Sequence, residues 1–250
     1  STLLRTIAGI QDPLKGQVLL KDNVVHEISG LERAKLIGYV STEKISADHI
    51  CVFDLVALGR FPYTNWIGTL SDEDMEIISN ALIMTGIKEL KDKMLSELSD
   101  GERQKVMIAR ALAQNTPVII LDEPTAFLDL PNRYQILRLL NELAGVYQKT
   151  IVYSTHDLNI AIHESDRLWL IASGKILDGA PEDLIISKGF HKLFENSEVD
   201  FNTDTSEIRM KRNYAGNILL QGDKELTHWT GRALERIGLS SSDQKPAIAS

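Results

Sequence analysis

A single cysteine, Cys51, stands in the 250-residue sequence, so no intrachain disulfide can form, which fits a reducing compartment. No apolar run approaches the ~20 residues that a membrane span requires, so any role at a membrane passes through a partner. No signal-peptide pattern is visible, although an incomplete N-terminus would hide one, and no internal repeat runs along the chain. An excess of basic charge is missing too. The 27 Lys+Arg against 35 Asp+Glu give a formal net charge of -8, which disfavours nonspecific nucleic-acid binding by the whole surface and leaves only a local basic patch open. What is present is 43% hydrophobic residues, enough at this length for one sizeable core and an appendage.

Residues 1–10 (STLLRTIAGI) read as a helix entered partway and closed by Gly9, as in a chain cut ahead of its first residue. Short strands are expected over 16–20 and 36–40. A helical stretch begins at 54–58 and is interrupted by Gly59-Arg60-Phe61-Pro62-Tyr63. Asp72 starts a helix with Met75, Ile78 and Leu82 at helical spacing. A helix over 102–114 and a strand over 118–121 follow, then an amphipathic helix marked by Ile136, Leu139, Leu140, Leu143 and Val146. The apolar runs 151–154 and 168–171 read as further strands, with a Gly174 turn leading to Ile176 and Leu177.

Apolar strands alternating with helices imply an α/β fold with a mainly parallel sheet covered on both faces. The span of about 51–113, mostly helical, reads as an insertion between sheet strands. Over 195–212 the text turns polar, which marks a boundary between a domain at 1–197 and a small C-terminal α/β extension at 198–250. There, 217–220 reads as a strand, Asp223 as a helix N-cap, and Leu226, Trp229, Ala233, Leu234 and Ile237 as a helix stripe closed by Gly238. One strand and one helix cannot bury their apolar faces alone, so the extension either docks on the main domain or is itself incomplete.

Two stretches carry chemistry. Leu98-Ser99-Asp100-Gly101-Glu102 is a small-residue turn opening a helix, where backbone N–H groups and the helix dipole can receive an anion. Ser99 offers a hydroxyl donor, and Gly101 lets backbone approach a phosphate closely. The second stretch, Val118-Ile119-Ile120-Leu121-Asp122-Glu123-Pro124-Thr125, is a buried strand delivering two adjacent carboxylates. Phosphoanhydride hydrolysis needs positioned charge more than covalent chemistry. Asp122 is placed to hold Mg²⁺ directly or through water, and Glu123, on the other side, to polarise the attacking water. Without such flanks an acid pair is a solvated strand end, an isolated Asp100 or Asp129 a helix cap, and a lone His156 a satisfied surface or core residue.

In order and separation these stretches resemble the signature and Walker B motifs of ATP-binding cassette (ABC) ATPases, and the resemblance covers roughly 1–194. It implies a P-loop NTPase-like ABC ATPase domain using ATP and Mg²⁺. It also implies that His156, in Ser154-Thr155-His156-Asp157, contacts the γ-phosphate and holds the catalytic acid Glu123 in place. Asp129, in Ala126-Phe127-Leu128-Asp129, resembles the loop that lies across the dimer interface. Ser99 and Gly101 would then touch nucleotide on the other subunit of a head-to-tail homodimer. Ser1-Thr2-Leu3-Leu4 resembles the end of a Walker A sequence, which would make Ser1 the Mg²⁺-binding hydroxyl and Thr2 a phosphate contact. The lysine and glycines of that loop, and an adenine-stacking aromatic, would precede Ser1, so these 250 residues alone are expected to bind ATP poorly. A second departure follows the strand at 36–40. The family usually has Pro-Gln there, with the Gln touching Mg²⁺; here Thr42 stands at the Gln position and Glu43 follows, so either would take over that contact.

Residues 54–63 (DLVALGRFPY) are similar to a segment of importers of iron–siderophore, haem and cobalamin complexes, where it helps receive a coupling helix from the permease. Physically, Phe61, Tyr63, Trp66 and Ile67 supply an aromatic-rich patch for an apolar helix, or else pack within the helical insert. The resemblance thus implies the ATPase subunit of such an importer: a homodimer beneath two permease subunits, served indirectly by an extracytoplasmic binding protein. It would lie peripherally on the cytoplasmic face of the bacterial plasma membrane, with no nucleic acid. A soluble ABC ATPase of repair or translation would call for two cassettes or a long coiled-coil insertion, and neither is present. A non-hydrolysing regulatory fragment is the remaining reading, suggested by Thr42 and the missing phosphate loop.

Overall fold

The computed structural model describes residues 2–42, 49–65, 67–195, 197–203 and 205–242. Ser1, Glu43 and Trp66, three of the expected site residues, lie outside them. The chain forms two compact units, Ser1–Glu164 and Ser165–Ser250.

In the first unit, α1 (Thr2–Ile7) ends at Gly9, whose φ of 71° is the left-handed conformation that closes a helix. The strand expected over 16–20 is reduced to β1 (Leu19–Leu20), paired antiparallel with β2 (Asn23–Val24). Lys21 and Asp22 between them both take positive φ, the geometry of a tight two-residue hairpin, so the chain reverses early. After α2 (Gly30–Ala34) comes β3 (Ile37–Val40), then α3 (Val52–Ala57), a 3₁₀ turn over Leu58–Tyr63, α4 (Asp72–Met84) and α5 (Asp100–Ala113). The run closes with β4 (Val118–Leu121), α6 (Leu130–Gly145), β5 (Thr150–Tyr153) and α7 (Leu158–Glu164).

Although the helical run separates them in sequence, β3 and β4 are neighbours in a parallel sheet ordered β3-β4-β5. The central strand is buried on both faces, which is why Val118–Leu121 reads as continuous rather than alternating hydrophobicity. One face, with Val40, Ile119 and Leu121, joins a core built with α3, α4, α5 and α6. The other face, with Ile37 and Ile120, packs on Leu4 and Ala8 beside α1. Met75 and Val146, counted in helix stripes, are exposed, whereas Ile78, Leu82, Ile136, Leu140 and Leu143 are buried.

In the second unit, β6 (Leu168–Ala172) does not extend the parallel sheet; it pairs antiparallel with β7 (Lys175–Gly179). Its burial alternates, with Leu168 and Leu170 inside and Trp169 and Ile171 exposed, the pattern of a sheet covered on one side only. After α8 (Pro181–Ile186), the polar stretch contains a hairpin, β8 (Val199–Asn202) with β9 (Glu207–Met210). Its anchor is Phe201, fully buried and stacked on Phe190 at 4.8 Å. Then β10 (Gly216–Leu219), α9 (Lys224–Arg236) and β11 (Leu239–Ser242) form a parallel β-α-β unit. Asp223 caps α9 as expected, accepting from the amides of Glu225 and Leu226. The strand Leu239-Ser240-Ser241-Ser242 carries no apolar run to announce it. Its pairing with β10 makes it a strand, and α9 packs closely on it: a Cβ on Gly231 would stand 2.7 Å from Ser241 Oγ.

Candidate active site

The register of the sheet assembles the site. Val40, Leu121 and Tyr153 are paired across β3, β4 and β5, so the residues that follow them share the carboxyl edge, where parallel α/β sheets bind ligands. Asp122 continues this ladder, donating its amide to Val40 O at 2.9 Å, and Ser154 donates its own to Leu121 O at 3.1 Å. The Ser154 hydroxyl donates to Asp122 Oδ1 at 2.7 Å and accepts from the Glu123 amide at 2.9 Å. One side chain therefore holds both carboxylate residues. Sequence reasoning quoted Ser154 but gave it no role; its place one residue past a strand paired with β4 was the available signal.

Glu123 has a φ of 46°, a left-handed backbone that costs a non-glycine residue about 1 kcal/mol or more. The bond from its amide to Ser154 holds that turn, and the turn separates the two acids. Asp122 continues the face of Val118 and Ile120 and is buried, while the Glu123 side chain emerges and meets His156, Nε2 to Oε1 at 2.8 Å. A carboxylate only accepts, so the proton of this contact sits on Nε2. The imidazole is otherwise open to solvent, 90% exposed, so the contact adds little to stability.

The signature turn is built differently. Ser99 caps α5: its hydroxyl donates to Glu102 Oε2 at 2.8 Å, and its amide donates to the same oxygen at 2.8 Å. Glu102 N returns a bond to Ser99 Oγ at 3.3 Å, completing a capping box. The amide and hydroxyl of Ser99 hold the Glu102 carboxyl below the usual glutamate range. Asp100 is the first helical residue rather than the cap, where its charge meets the positive end of the dipole. Gly101 faces α6, and a Cβ there would stand 2.9 Å from Asn132 Cγ. Asn132 in turn donates its amide to Asp129 Oδ1 at 3.2 Å, so Asp129 caps α6. Gly101 and Asp129 are thus brought to one place through Asn132, a residue the sequence reading passed over. Gly101→Ala should destabilise the fold by about 1–3 kcal/mol through overpacking, measured by urea denaturation. Most of that loss should return in the Gly101→Ala/Asn132→Ala double variant, and failure to recover it would show that the contact is not the reason for the glycine.

A pocket lined by Ser41, Thr42, Asp100, Arg103, Glu123 and Phe127, among others, joins the loop after β3 to the end of β4 and the start of α5. Thr42 and Glu123 therefore line one pocket. Ser99 and Gly101 do not line this pocket, and Thr2 is exposed at the start of α1. Among the described residues no group of three or more His, Cys, Asp or Glu is gathered to cage a metal. The Thr42 hydroxyl in this lining and the Asp122 carboxylate, buried at the end of β4 and outside the lining, are hard oxygens. That set fits Mg²⁺, which keeps several waters and takes one or two carboxylates plus substrate phosphates.

Comparison with known proteins bears on the whole arrangement. The family model for "ABC transporter" matches residues 1–126. The petrobactin import ATP-binding protein of Bacillus anthracis is 35% identical over 205 residues, 82% of this chain and 75% of that protein. The chain belongs to the ABC transporter family. Among solved structures, a transporter assigned to the metal-chelate type, in an inward-facing conformation, aligns with a TM-score of 0.67 at 27% identity, covering 83% of this chain and 78% of the other. The dimeric structure of a bacterial ABC transporter cassette aligns with a TM-score of 0.62 at 28% identity, covering 72% and 79%. These ABC relatives agree with the α/β fold and parallel sheet described above. No helix among the described residues is long and apolar enough to cross a membrane.

Proposed function

We propose that this chain is the ATP-hydrolysing subunit of an ABC importer that takes up an iron–siderophore, haem or cobalamin-type complex. The observation that carries the reading is the carboxyl edge of the sheet, where Ser154 fixes Asp122 and Glu123 on two sides of one turn. Asp122 and the Thr42 hydroxyl are the groups suited to hold Mg²⁺, with Ser1 as a further ligand. Mg²⁺, when bound, would neutralise charge that develops on the phosphates. Glu123 is the general base that orients the attacking water and takes its proton, and His156 keeps that carboxylate in place. Thr2 is assigned to the phosphates.

Two copies work head to tail, with Ser99, Gly101 and Asp129 of each serving the other's nucleotide; a dimeric cassette among the structural relatives supports this. Phe61 and Ile67 are largely exposed and Tyr63 partly so, which supports an apolar permease helix as their partner rather than packing inside the insert. The pair of cassettes would then sit peripherally on the cytoplasmic face of the plasma membrane beneath two permease subunits, reached indirectly by a binding protein. We assign the nucleotide-binding domain to 1–197, with a helical subdomain at about 51–113, and the extension to 198–250. Similarity over 205 residues to an import subunit must run past Glu164 into the second compact unit, which supports a domain longer than the first unit.

The test is Mg²⁺-dependent ATP turnover by the full chain assembled with its permease, together with uptake of the chelate. Ser154→Ala should lower turnover about 10–100-fold, as loss of a residue orienting metal ligands does, with ATP binding retained. Turnover without Mg²⁺, or unaffected by Ser154→Ala, would contradict the arrangement.

A further inference from the structure

Arg60 is buried, and it is tied on three sides. Its Nε donates to Asp74 Oδ1 at 2.7 Å, one guanidinium nitrogen donates to Ala113 O at 2.9 Å, and the guanidinium lies 4.1 Å over the Tyr63 ring. Tyr63 makes its own bond to the same place, its hydroxyl donating to Gln114 O at 3.1 Å. Ala113 is the last residue of α5 and Gln114 its C-cap, so the aromatic turn supplies donors to carbonyls that the helix leaves without partners. The positive charge also suits the negative end of the helix dipole. Gly59 brings the turn this close: a Cβ there would stand 2.3 Å from Arg110 O, inside the helix backbone. Asp74 is itself fixed, accepting from the Ser71 amide and hydroxyl at 2.9 and 2.8 Å.

The 14 residues of α5 span about 21 Å, from the signature turn at Ser99 to this clasp. We propose that Arg60 is a positioning residue that locks the aromatic turn onto the C-terminal end of α5. Movement of a permease helix seated on Phe61 then shifts Ser99 and Gly101 at the far end as one rigid body. The proposal rests on the reading that Phe61 and Tyr63 receive the permease. It adds that transmission depends on a guanidinium fork, because only a planar group with several donors can hold Asp74, a helix carbonyl and an aromatic face together.

The deciding experiment compares three variants in the full chain reconstituted with its permease, reading assembly, basal turnover and permease-stimulated turnover. Phe61→Asp tests the docking reading alone, and it should weaken assembly. Arg60→Lys keeps the charge and one bond but not the fork. It should leave basal turnover and assembly at wild-type values and cut the permease-stimulated rate about fivefold or more. Ser71→Ala removes one of the two bonds that fix Asp74 while leaving Arg60 and the aromatic turn unchanged, and it should give a smaller loss of the same kind; it decides the matter if Arg60→Lys does not fold. If Phe61→Asp assembles normally, the docking reading fails and the proposal falls with it. If Phe61→Asp weakens assembly while Arg60→Lys keeps full stimulation, or loses basal and stimulated turnover equally, or loses assembly, the clasp alone is overturned.

Discussion

Glu123→Gln, in a form of the protein that carries the phosphate loop, should reduce steady-state ATP turnover by about 10²–10⁴-fold, the contribution of a positioned general base, while leaving nucleotide binding intact. The amide is nearly the same size, and its oxygen can still accept from His156 Nε2, now 2.8 Å from Glu123 Oε1. The backbone bond to Ser154 is unaffected by the change, so the left-handed turn persists and the melting temperature should stay close to wild type. With hydrolysis blocked, nucleotide bound between subunits should hold the closed dimer. Gel filtration in the presence of Mg-ATP should therefore show a dimer for the variant where the wild type cycles back to open forms. Normal turnover by Glu123→Gln in the assembled protein would remove the role assigned to this residue.

Asp74→Ala should have the largest effect on stability. Asp74 and Arg60 are both nearly inaccessible to solvent, at 6% and 5%, so removing the acid strands a buried guanidinium. Breaking such a pair from one side costs about 3–5 kcal/mol, or roughly 10 °C in melting temperature for a unit of this size. The apolar pair Arg60→Met/Asp74→Leu should recover most of the loss, since it strands no charge. The pH dependence follows from the direction of the Asp74 shift. Bonds from the Ser71 amide, and then from Arg60, hold this carboxyl below its usual value of 3.8. The contribution is therefore fully present above 3.8 and is lost as pH falls through the lower folded value. The stability gap between wild type and variant should stay constant from neutral pH to about pH 4.5 and close only in stronger acid. A gap already closing at pH 5, or a loss under 1 kcal/mol by urea denaturation, would show that the pair is not sealed from water.

The parts of this molecule that were legible in the sequence are those governed by local pattern. The run Val118–Leu121 with its two acids, the turn at Ser99 that opens a helix, and the aromatic insert each depend on neighbours in the chain. What escaped depends on partners far along it. Ser154 acquires its role only because β5 pairs with β4 in a register that sets it against Asp122. Gly101 reads as a phosphate-approach residue, yet the contact it makes within the chain is with Asn132. Arg60 looks like a surface cation until Asp74 and Ala113 O close over it. The strand β11 failed for a different reason: three consecutive serines carry no periodicity, and only its pairing with β10 makes it a strand. Ser1, Glu43 and Trp66 remain sequence-based expectations.

The capping box at Ser99 bears on how tightly the proposed dimer would hold. Both the amide and the hydroxyl of the signature serine are spent on Glu102. For a phosphate of the opposite subunit's nucleotide to accept from the Ser99 hydroxyl, one charge-assisted hydrogen bond must be exchanged for another. The exchange brings little net gain from the serine itself, so a closed dimer would draw its stability from its other contacts. With so little held by Ser99, reopening after hydrolysis would cost correspondingly little at this end of α5.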